Sequence, residues 1–153
     1  MKIESDKIVI TLASPLTFTF HMTQANLQPP QILLVEDDKI NQMVAKLTLE
    51  KIGNYQIEIA SDGQEAIDMT ANKRYDLILM DINMPFLNGS IATQRIRQRE
   101  QQTNTHLPII GMTADTVTHD LQACLEVGMD DVLDKPLVVD SLKKILNKWL
   151  NKD

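Results

Sequence analysis

Apolar residues along residues 31–150 alternate between short continuous runs and helical spacing. The short runs predict five strands. These strands cover residues 32–35, 57–60, 75–80, 106–110 and 131–133. After each strand, apolar residues recur at intervals of three or four, which predicts a helix. Strands that alternate with helices in this way indicate an α/β fold, in which a mostly parallel sheet is covered on both faces.

The predicted helices carry different apolar patterns. The first helix, over residues 38–52, has apolar side chains at Ile40, Met43, Val44, Leu47 and Ile52. The fourth begins at the capping residue Asp115 and carries Val117, Leu121 and Leu125. The last has apolar residues at the spacing of one helix face, namely Leu142, Ile145, Leu146, Trp149 and Leu150.

The third helix, over residues 89–100, combines apolar and basic positions. Its inward positions are expected to be Ile91 and Ile96. Its arginines are expected to form a solvated face, and these are Arg95, Arg97 and Arg99.

The first 30 residues have a separate pattern. Residues 8–12 and 16–20 alternate around a Ser-Pro pair, which predicts a short β-hairpin. Gln28-Pro29-Pro30 reads as a linker, because proline lacks a backbone donor and disfavours helix before it. We therefore expect an N-terminal extension over residues 1–27, a linker over 28–30 and a main domain over 31–150.

Composition narrows the classes of function. The chain has 153 residues, 43% of them hydrophobic, which suits one globular core. Its net charge of -6 disfavours binding to nucleic acid. No apolar run reaches the roughly 20 residues of a membrane span, and the N-terminus lacks a secretory signal pattern. With one cysteine, Cys124, an intramolecular disulfide is excluded, so we expect a cytoplasmic protein without membrane insertion.

Polar residues follow four of the predicted strands. Glu36 and Asp37 follow the first strand, Asp81 the third, Thr113 the fourth and Lys135 the fifth. In an open α/β sheet, ligands bind beyond the carboxyl ends of the strands. Clustered carboxylates repel each other unless a cation is present, and Mg²⁺ prefers such oxygen ligands. An aspartate beside Mg²⁺ can attack a phosphoryl group, while a lysine and a hydroxyl stabilise the transferring charge.

The chain resembles the receiver domain of two-component response regulators over residues 31–150. The resemblance rests on four motifs at predicted strand ends: Leu33-Leu34-Val35-Glu36-Asp37-Asp38, Met80-Asp81-Ile82-Asn83-Met84-Pro85, Gly111-Met112-Thr113-Ala114 and Gly128-Met129-Asp130-Asp131-Val132-Leu133-Asp134-Lys135-Pro136. Asp38-Lys39-Ile40-Asn41-Gln42 is most similar to receivers attached to hybrid sensor kinases. The resemblance implies a flavodoxin-like (βα)5 three-layer sandwich with strand order 2-1-3-4-5.

The resemblance also implies roles for the site residues. Asp81 is the expected phospho-acceptor, and its phosphoryl group would come from a histidine kinase or a histidine phosphotransfer protein. Glu36 and Asp37 form the acidic pair that binds Mg²⁺ with Asp81, and Asn83 offers its backbone carbonyl. Thr113 is the expected switch hydroxyl. Lys135 pairs with the phosphate, and the bond from Lys135 to Pro136 is expected to be cis.

Some alternatives stay open at this point. The family's switch aromatic falls at Val132, which allows a non-phosphorylated pseudo-receiver that serves as a binding module. A Mg²⁺-dependent phosphohydrolase is a second alternative, although Asn83 stands where such enzymes carry a second acid.

Residues 16–20 resemble the last strand of a sensor kinase's ATP-binding domain. Because three residues follow residue 150, we expect output through a protein partner, a phosphorelay or a phosphoryl sink.

Overall fold

The computed structural model describes residues 28–114 and 119–151, together with three short strands within the first 20 residues. These strands are β1 (Lys2–Glu4), β2 (Lys7–Val9) and β3 (Thr19–Phe20), and they pair antiparallel in the order β1-β2-β3. The sequence pattern did not predict β1. The predicted turn at Ser14-Pro15 lies outside the described residues.

A second sheet of five parallel strands forms the centre of the main domain. Its strands are β4 (Gln31–Val35), β5 (Gln56–Ala60), β6 (Leu77–Asp81), β7 (Ile109–Thr113) and β8 (Asp131–Asp134). They are ordered β5-β4-β6-β7-β8, which confirms the predicted order 2-1-3-4-5. The fourth predicted strand was placed three residues too early, since proline at position 108 precedes β7 and cannot donate to the ladder.

Five helices follow the strands within residues 39–150 of the described chain. They are α1 (Lys39–Ile52), α2 (Gly63–Asn72), α3 (Gly89–Thr103), α4 (His119–Glu126) and α5 (Val139–Leu150). No helix in the described ranges has the length and apolar character of a membrane span.

The helices bury both faces of the parallel sheet. On one face, Leu33 and Ile78 of the sheet belong to a core that includes Ala92 and Ile96 of α3. The opposite face is covered by α1 and α5 through buried side chains, which are Ala45, Leu49, Leu142 and Leu146. The central strands are therefore apolar throughout instead of alternating with polar residues.

The buried face of α1 differs from its apolar pattern. Ile40 and Met43 are 72% and 64% exposed, and Val44 and Leu47 are about half exposed. The buried positions are Gln42, Ala45 and Leu49. The helix was predicted correctly, but four of its five predicted apolar positions are exposed, and Ile52 is the one of the five that packs partly buried against the core. Hydrophobic spacing identified the helix without identifying the side that packs on the sheet.

Two arginines of α3 correct the prediction of a solvated basic face. Arg97 donates to the carbonyls of Gly128 and Leu107, at 2.7 and 2.9 Å, and pairs with Asp130 at 2.7 Å. Arg99 donates to the carbonyl of Ile67 at 3.1 Å. Their long, forked side chains reach across to neighbouring loops and helices. Of the three arginines, Arg95 alone is exposed.

Apolar positions on α3 and α4 also differ from expectation. Ile96 is buried as predicted, whereas Ile91 is 40% exposed. On α4, Leu121 and Leu125 are exposed, and among residues 121–126 Cys124 is the buried one. The expected cap at Asp115 and the following Val at position 117 lie outside the described residues. Ile96 of α3 and Cys124 of α4 therefore belong to the core on this face of the sheet.

Candidate functional site

The carboxyl ends of β4, β6, β7 and β8 meet at one edge of the sheet. Parallel pairing sets Val35 beside Met80 and Asp81 beside Met112. The residues that follow or end these strands are therefore close in space, although they are far apart in sequence. They include Glu36, Asp81, Thr113 and Lys135.

Three carboxylates form the centre of this edge. Glu36, Asp37 and Asp81 each offer an oxygen, and these oxygens lie within 4.8 Å of one another. Glu36 and Asp81 are buried, at 2% and 4% exposure, while Asp37 is exposed. Mutual repulsion in such a group favours a bound cation. The oxygen-only donor set fits Mg²⁺, which takes carboxylate oxygens and retains several waters.

Lys135 lies against two of these carboxylates. Its Nζ is 2.6 Å from Glu36 Oε2 and 3.0 Å from Asp81 Oδ2. Burial lowers the pKa of Lys135, but hydrogen bonds and charge attraction from Glu36 and Asp81 outweigh burial, so this pKa is raised above its ordinary value. The ammonium group therefore stays protonated at neutral pH. The bond from Lys135 to Pro136 is cis, as the resemblance implied.

Main-chain contacts fix the position of Asp81. The Asn83 amide donates to Asp81 Oδ1 at 3.1 Å, and the Ile82 amide donates to the Met112 carbonyl at 3.1 Å. Gly89 begins α3 so close to this strand end that a Cβ there would lie 2.2 Å from the Asp81 carbonyl oxygen. A side chain at position 89 would force α3 away from the acceptor.

Thr113 ends β7 at the same edge. It is 3% exposed, and its carbonyl accepts a 2.7 Å hydrogen bond from the Lys135 amide. This bond joins the end of β7 to the loop that carries the lysine. Val132 lies partly buried in β8 and packs against the core cluster formed with α3.

Two amide side chains at the site were quoted in the sequence motif without an assigned role. Asn41 Nδ2 donates to Glu36 Oε1 at 3.3 Å, and Gln42 Nε2 donates to the Glu36 carbonyl at 2.6 Å. The sequence feature that could have indicated their role is a pair of amide residues in the first turn of a helix that follows an acidic pair. Their contacts depend on which face of α1 packs on the sheet, and the apolar spacing did not predict that face.

Comparison with known proteins places most of the chain in one family. A family model described as the response regulator receiver domain matches residues 32–147. The sensor histidine kinase RcsC of Salmonella typhi is 37% identical over 144 residues, which cover 94% of this chain and 14% of the kinase. The chain spans 11–16% of the length of the first curated relatives that it matches.

Solved structures of two receivers resemble this chain. The receiver domain of sensor histidine kinase PA1611 from Pseudomonas aeruginosa PAO1, with a magnesium ion in its active site cleft, is 38% identical with a TM-score of 0.73. The match covers 82% of this chain and all of that one. The Ssk1 receiver of Saccharomyces cerevisiae, crystallised with the histidine phosphotransfer protein Ypd1, is 30% identical with a TM-score of 0.72, over 79% of this chain and 88% of that one.

Proposed function

The chain belongs to the family of response regulator receiver domains, and from this membership we propose that Asp81 accepts a phosphoryl group from a phosphohistidine in a two-component phosphorelay. The observation that carries the proposal is the position of Asp81, which is buried beside the Glu36 carboxylate and 3.0 Å from the Lys135 ammonium. A nucleophilic carboxylate with a fixed cation beside it matches the needs of phosphoryl transfer.

The proposed reaction exchanges one bond to phosphorus for another. A carboxylate oxygen of Asp81 attacks phosphorus and forms an O–P bond, while the N–P bond of the phosphohistidine breaks. The imidazole leaves with the electron pair of that bond, and the product is an acyl phosphate. Lys135 neutralises charge on the transferred oxygens, and Thr113 donates a hydrogen bond to one of them in this proposal.

We propose that Glu36, Asp37, Asp81 and the backbone carbonyl of Asn83 hold Mg²⁺. The close approach of the three carboxylates supports this ligand set. When bound, the cation supplies positive charge that stabilises the transferring oxygens. Glu36 also accepts from Lys135, so in this proposal it acts on the cation through water while Asp37 binds it directly.

We propose a protein as the phosphoryl donor, either a histidine kinase or a histidine phosphotransfer protein. Val44 of α1 and Pro136 of the β8–α5 loop line the same small cavity as Glu36 and Lys135, so the helix adjoins the site. Ile40, Met43 and Leu47 extend an exposed apolar surface along that helix. Exposed apolar residues next to a reactive group suit a protein donor better than a small phosphoester.

We also propose a division of the chain into three segments. We assign residues 31–150 to the receiver domain, 28–30 to a linker and 1–27 to an N-terminal extension. The proposal is supported by the separate sheet formed by β1, β2 and β3. A cytoplasmic location is part of the same proposal.

The proposed function is tested by intact mass after incubation with acetyl phosphate and Mg²⁺. We expect a gain of one phosphoryl group that requires Mg²⁺ and is absent in Asp81→Asn. A folded protein that gains nothing would instead support the pseudo-receiver. Sustained turnover of a generic phosphoester would support the phosphohydrolase, and we expect none.

A further inference from the structure

A buried amide side chain lies directly behind the acidic pair. Gln42 is 5% exposed, while its neighbours Ile40 and Met43 point outward. Burying a carboxamide costs free energy unless its polar atoms are hydrogen-bonded. Apolar side chains of similar size thus lie on the outer side of this helix, while a polar side chain lies on the inner side. Packing alone therefore does not explain why Gln42 is the buried residue.

Two contacts of Gln42 lie at the turn between β4 and α1, and its Nε2 also lies 3.5 Å from Ser61 Oγ, which follows β5. Its Nε2 donates to the Glu36 carbonyl at 2.6 Å, and its Oε1 accepts from Lys39 Nζ at 3.4 Å. The Glu36 amide donates to the Ala60 carbonyl at 3.1 Å. Both main-chain polar groups of Glu36 are therefore held, one by the neighbouring strand and one by Gln42.

We propose that Gln42 is a positioning residue for the Mg²⁺ ligands, and this inference rests on the proposed function. A peptide unit is planar, so fixing the Glu36 carbonyl also fixes the direction of the following Asp37 amide and Cα. The side-chain carboxamide of Gln42 thereby sets where the exposed Asp37 carboxylate lies relative to Asp81. Groups that orient metal ligands in this way typically change affinity by 10–100-fold when they are removed.

The first test replaces Gln42 with methionine, which has similar length and no donor. We expect the dissociation constant for Mg²⁺, measured by calorimetry, to rise about tenfold. Phosphorylation by acetyl phosphate is expected to be slowed most at Mg²⁺ concentrations below the wild-type dissociation constant and to recover towards the wild-type rate as Mg²⁺ is raised, because the ligands themselves remain. Unchanged Mg²⁺ affinity would overturn the inference.

The second readout needs neither metal nor activity. The Asp38 amide donates to Glu36 Oε1 at 3.2 Å, so its hydrogen exchange reports on the order of the turn. In metal-free Gln42→Met we expect this amide to exchange about tenfold faster than in the wild type. Wild-type exchange at Asp38 would contradict the proposed role even if affinity fell.

Two further variants separate positioning from charge and from general destabilisation. Gln42→Glu cannot donate to the Glu36 carbonyl when ionised, so it should also weaken Mg²⁺ binding despite its added negative charge. Tighter binding by this variant would show that charge governs, against the proposal. Leu49→Ala destabilises the same helix far from the turn and should leave Mg²⁺ affinity and Asp38 exchange unchanged. Equal effects of Leu49→Ala and Gln42→Met would reduce Gln42 to a packing role.

The outcomes stay distinct from those of the proposed function. If the wild type binds Mg²⁺ but gains no phosphoryl group from acetyl phosphate, the proposed function fails. Calorimetry and exchange then still decide the role of Gln42.

Discussion

Lys135 places one ammonium group between two buried carboxylates, with Nζ 2.6 Å from Glu36 and 3.0 Å from Asp81. A charge-assisted contact of this kind is roughly twice as strong as a neutral hydrogen bond. The same ammonium group lies beside the Asp81 carboxylate, which would accept a phosphoryl group. The sequence predicted Lys135 at this position, because it follows the last strand of a parallel sheet. Its contact with Glu36 was not predicted, since that distance depends on side-chain packing.

Replacing Lys135 with methionine should slow phosphorylation of Asp81 about a hundredfold, because one fixed positive group is lost at the transferring oxygens. The measurement is the initial rate of mass gain with acetyl phosphate at saturating Mg²⁺. Lys148→Met is the matched control, since Lys148 pairs with Asp131 on the surface. A variant of Lys135 with the wild-type rate would remove Lys135 from the chemistry.

The raised pKa of Lys135 also predicts a pH dependence of stability. A lysine whose pKa is higher in the folded state stabilises the fold fully below its unfolded pKa of about 10.4, and that contribution is lost as pH rises through the folded pKa. The stability advantage of the wild type over Lys135→Met should be constant from about pH 7 to 9 and shrink above about pH 10.4. Denaturant unfolding of both proteins across this range is the measurement. An advantage that disappears near neutral pH would be inconsistent with the ion pairs described.

Phe86 has an unfavourable backbone conformation for its side chain. Its φ is 68° and the ring is fully exposed. Phe86→Gly should raise the free energy of unfolding by about 0.5–1 kcal/mol, because glycine adopts positive φ freely. Phe86→Ala keeps a Cβ and should give no such gain. Equal stabilisation by both variants, measured by denaturant unfolding, would assign the effect to the exposed ring instead of the backbone.

At the scale of elements, α1 shows what an apolar pattern can and cannot predict. The spacing from Ile40 to Ile52 identified the helix, and Asp38 caps it by accepting from the amides of Ile40 and Asn41 at 2.9 and 2.8 Å. The buried side is nevertheless defined by Ala45 and Leu49. A small residue permits close approach to the sheet, and the sheet-facing side was not recognisable from hydrophobicity alone. Arg97 of α3 is a similar case, because its carbonyl partners lie in distant loops.

Truncation of a buried side chain and of an exposed side chain of α1 should change the free energy of unfolding by very different amounts. Leu49→Ala removes a fully buried side chain and should lower the free energy of unfolding by about 2–5 kcal/mol. Leu47→Ala removes a side chain that is 52% exposed and should change it by less than about 0.5 kcal/mol. Chemical denaturation of the two variants is the measurement. Comparable losses would mean that α1 packs through its apolar stripe after all.

At the scale of the whole molecule, the parallel sheet assembles the site. The ion pair between Glu36 and Lys135 joins residues 99 positions apart in sequence. The residues within three positions after the predicted strands include Glu36, Asp37, Asp81, Thr113 and Lys135, and these lie close together because all carboxyl ends of parallel strands share one edge. The side-chain hydrogen bonds of Gln42 could not be predicted in this way, because they depend on the rotation of α1 about its own axis.

The proposed function requires that the phosphoryl group forms an acyl phosphate on Asp81. The most direct measurement is borohydride reduction of the phosphorylated protein, which converts an aspartyl phosphate to homoserine, followed by peptide mass mapping. We expect homoserine at position 81 after treatment with acetyl phosphate and Mg²⁺, and none when Mg²⁺ is omitted. Reduction at another acidic residue, or none in a protein that has gained a phosphoryl group, would contradict it.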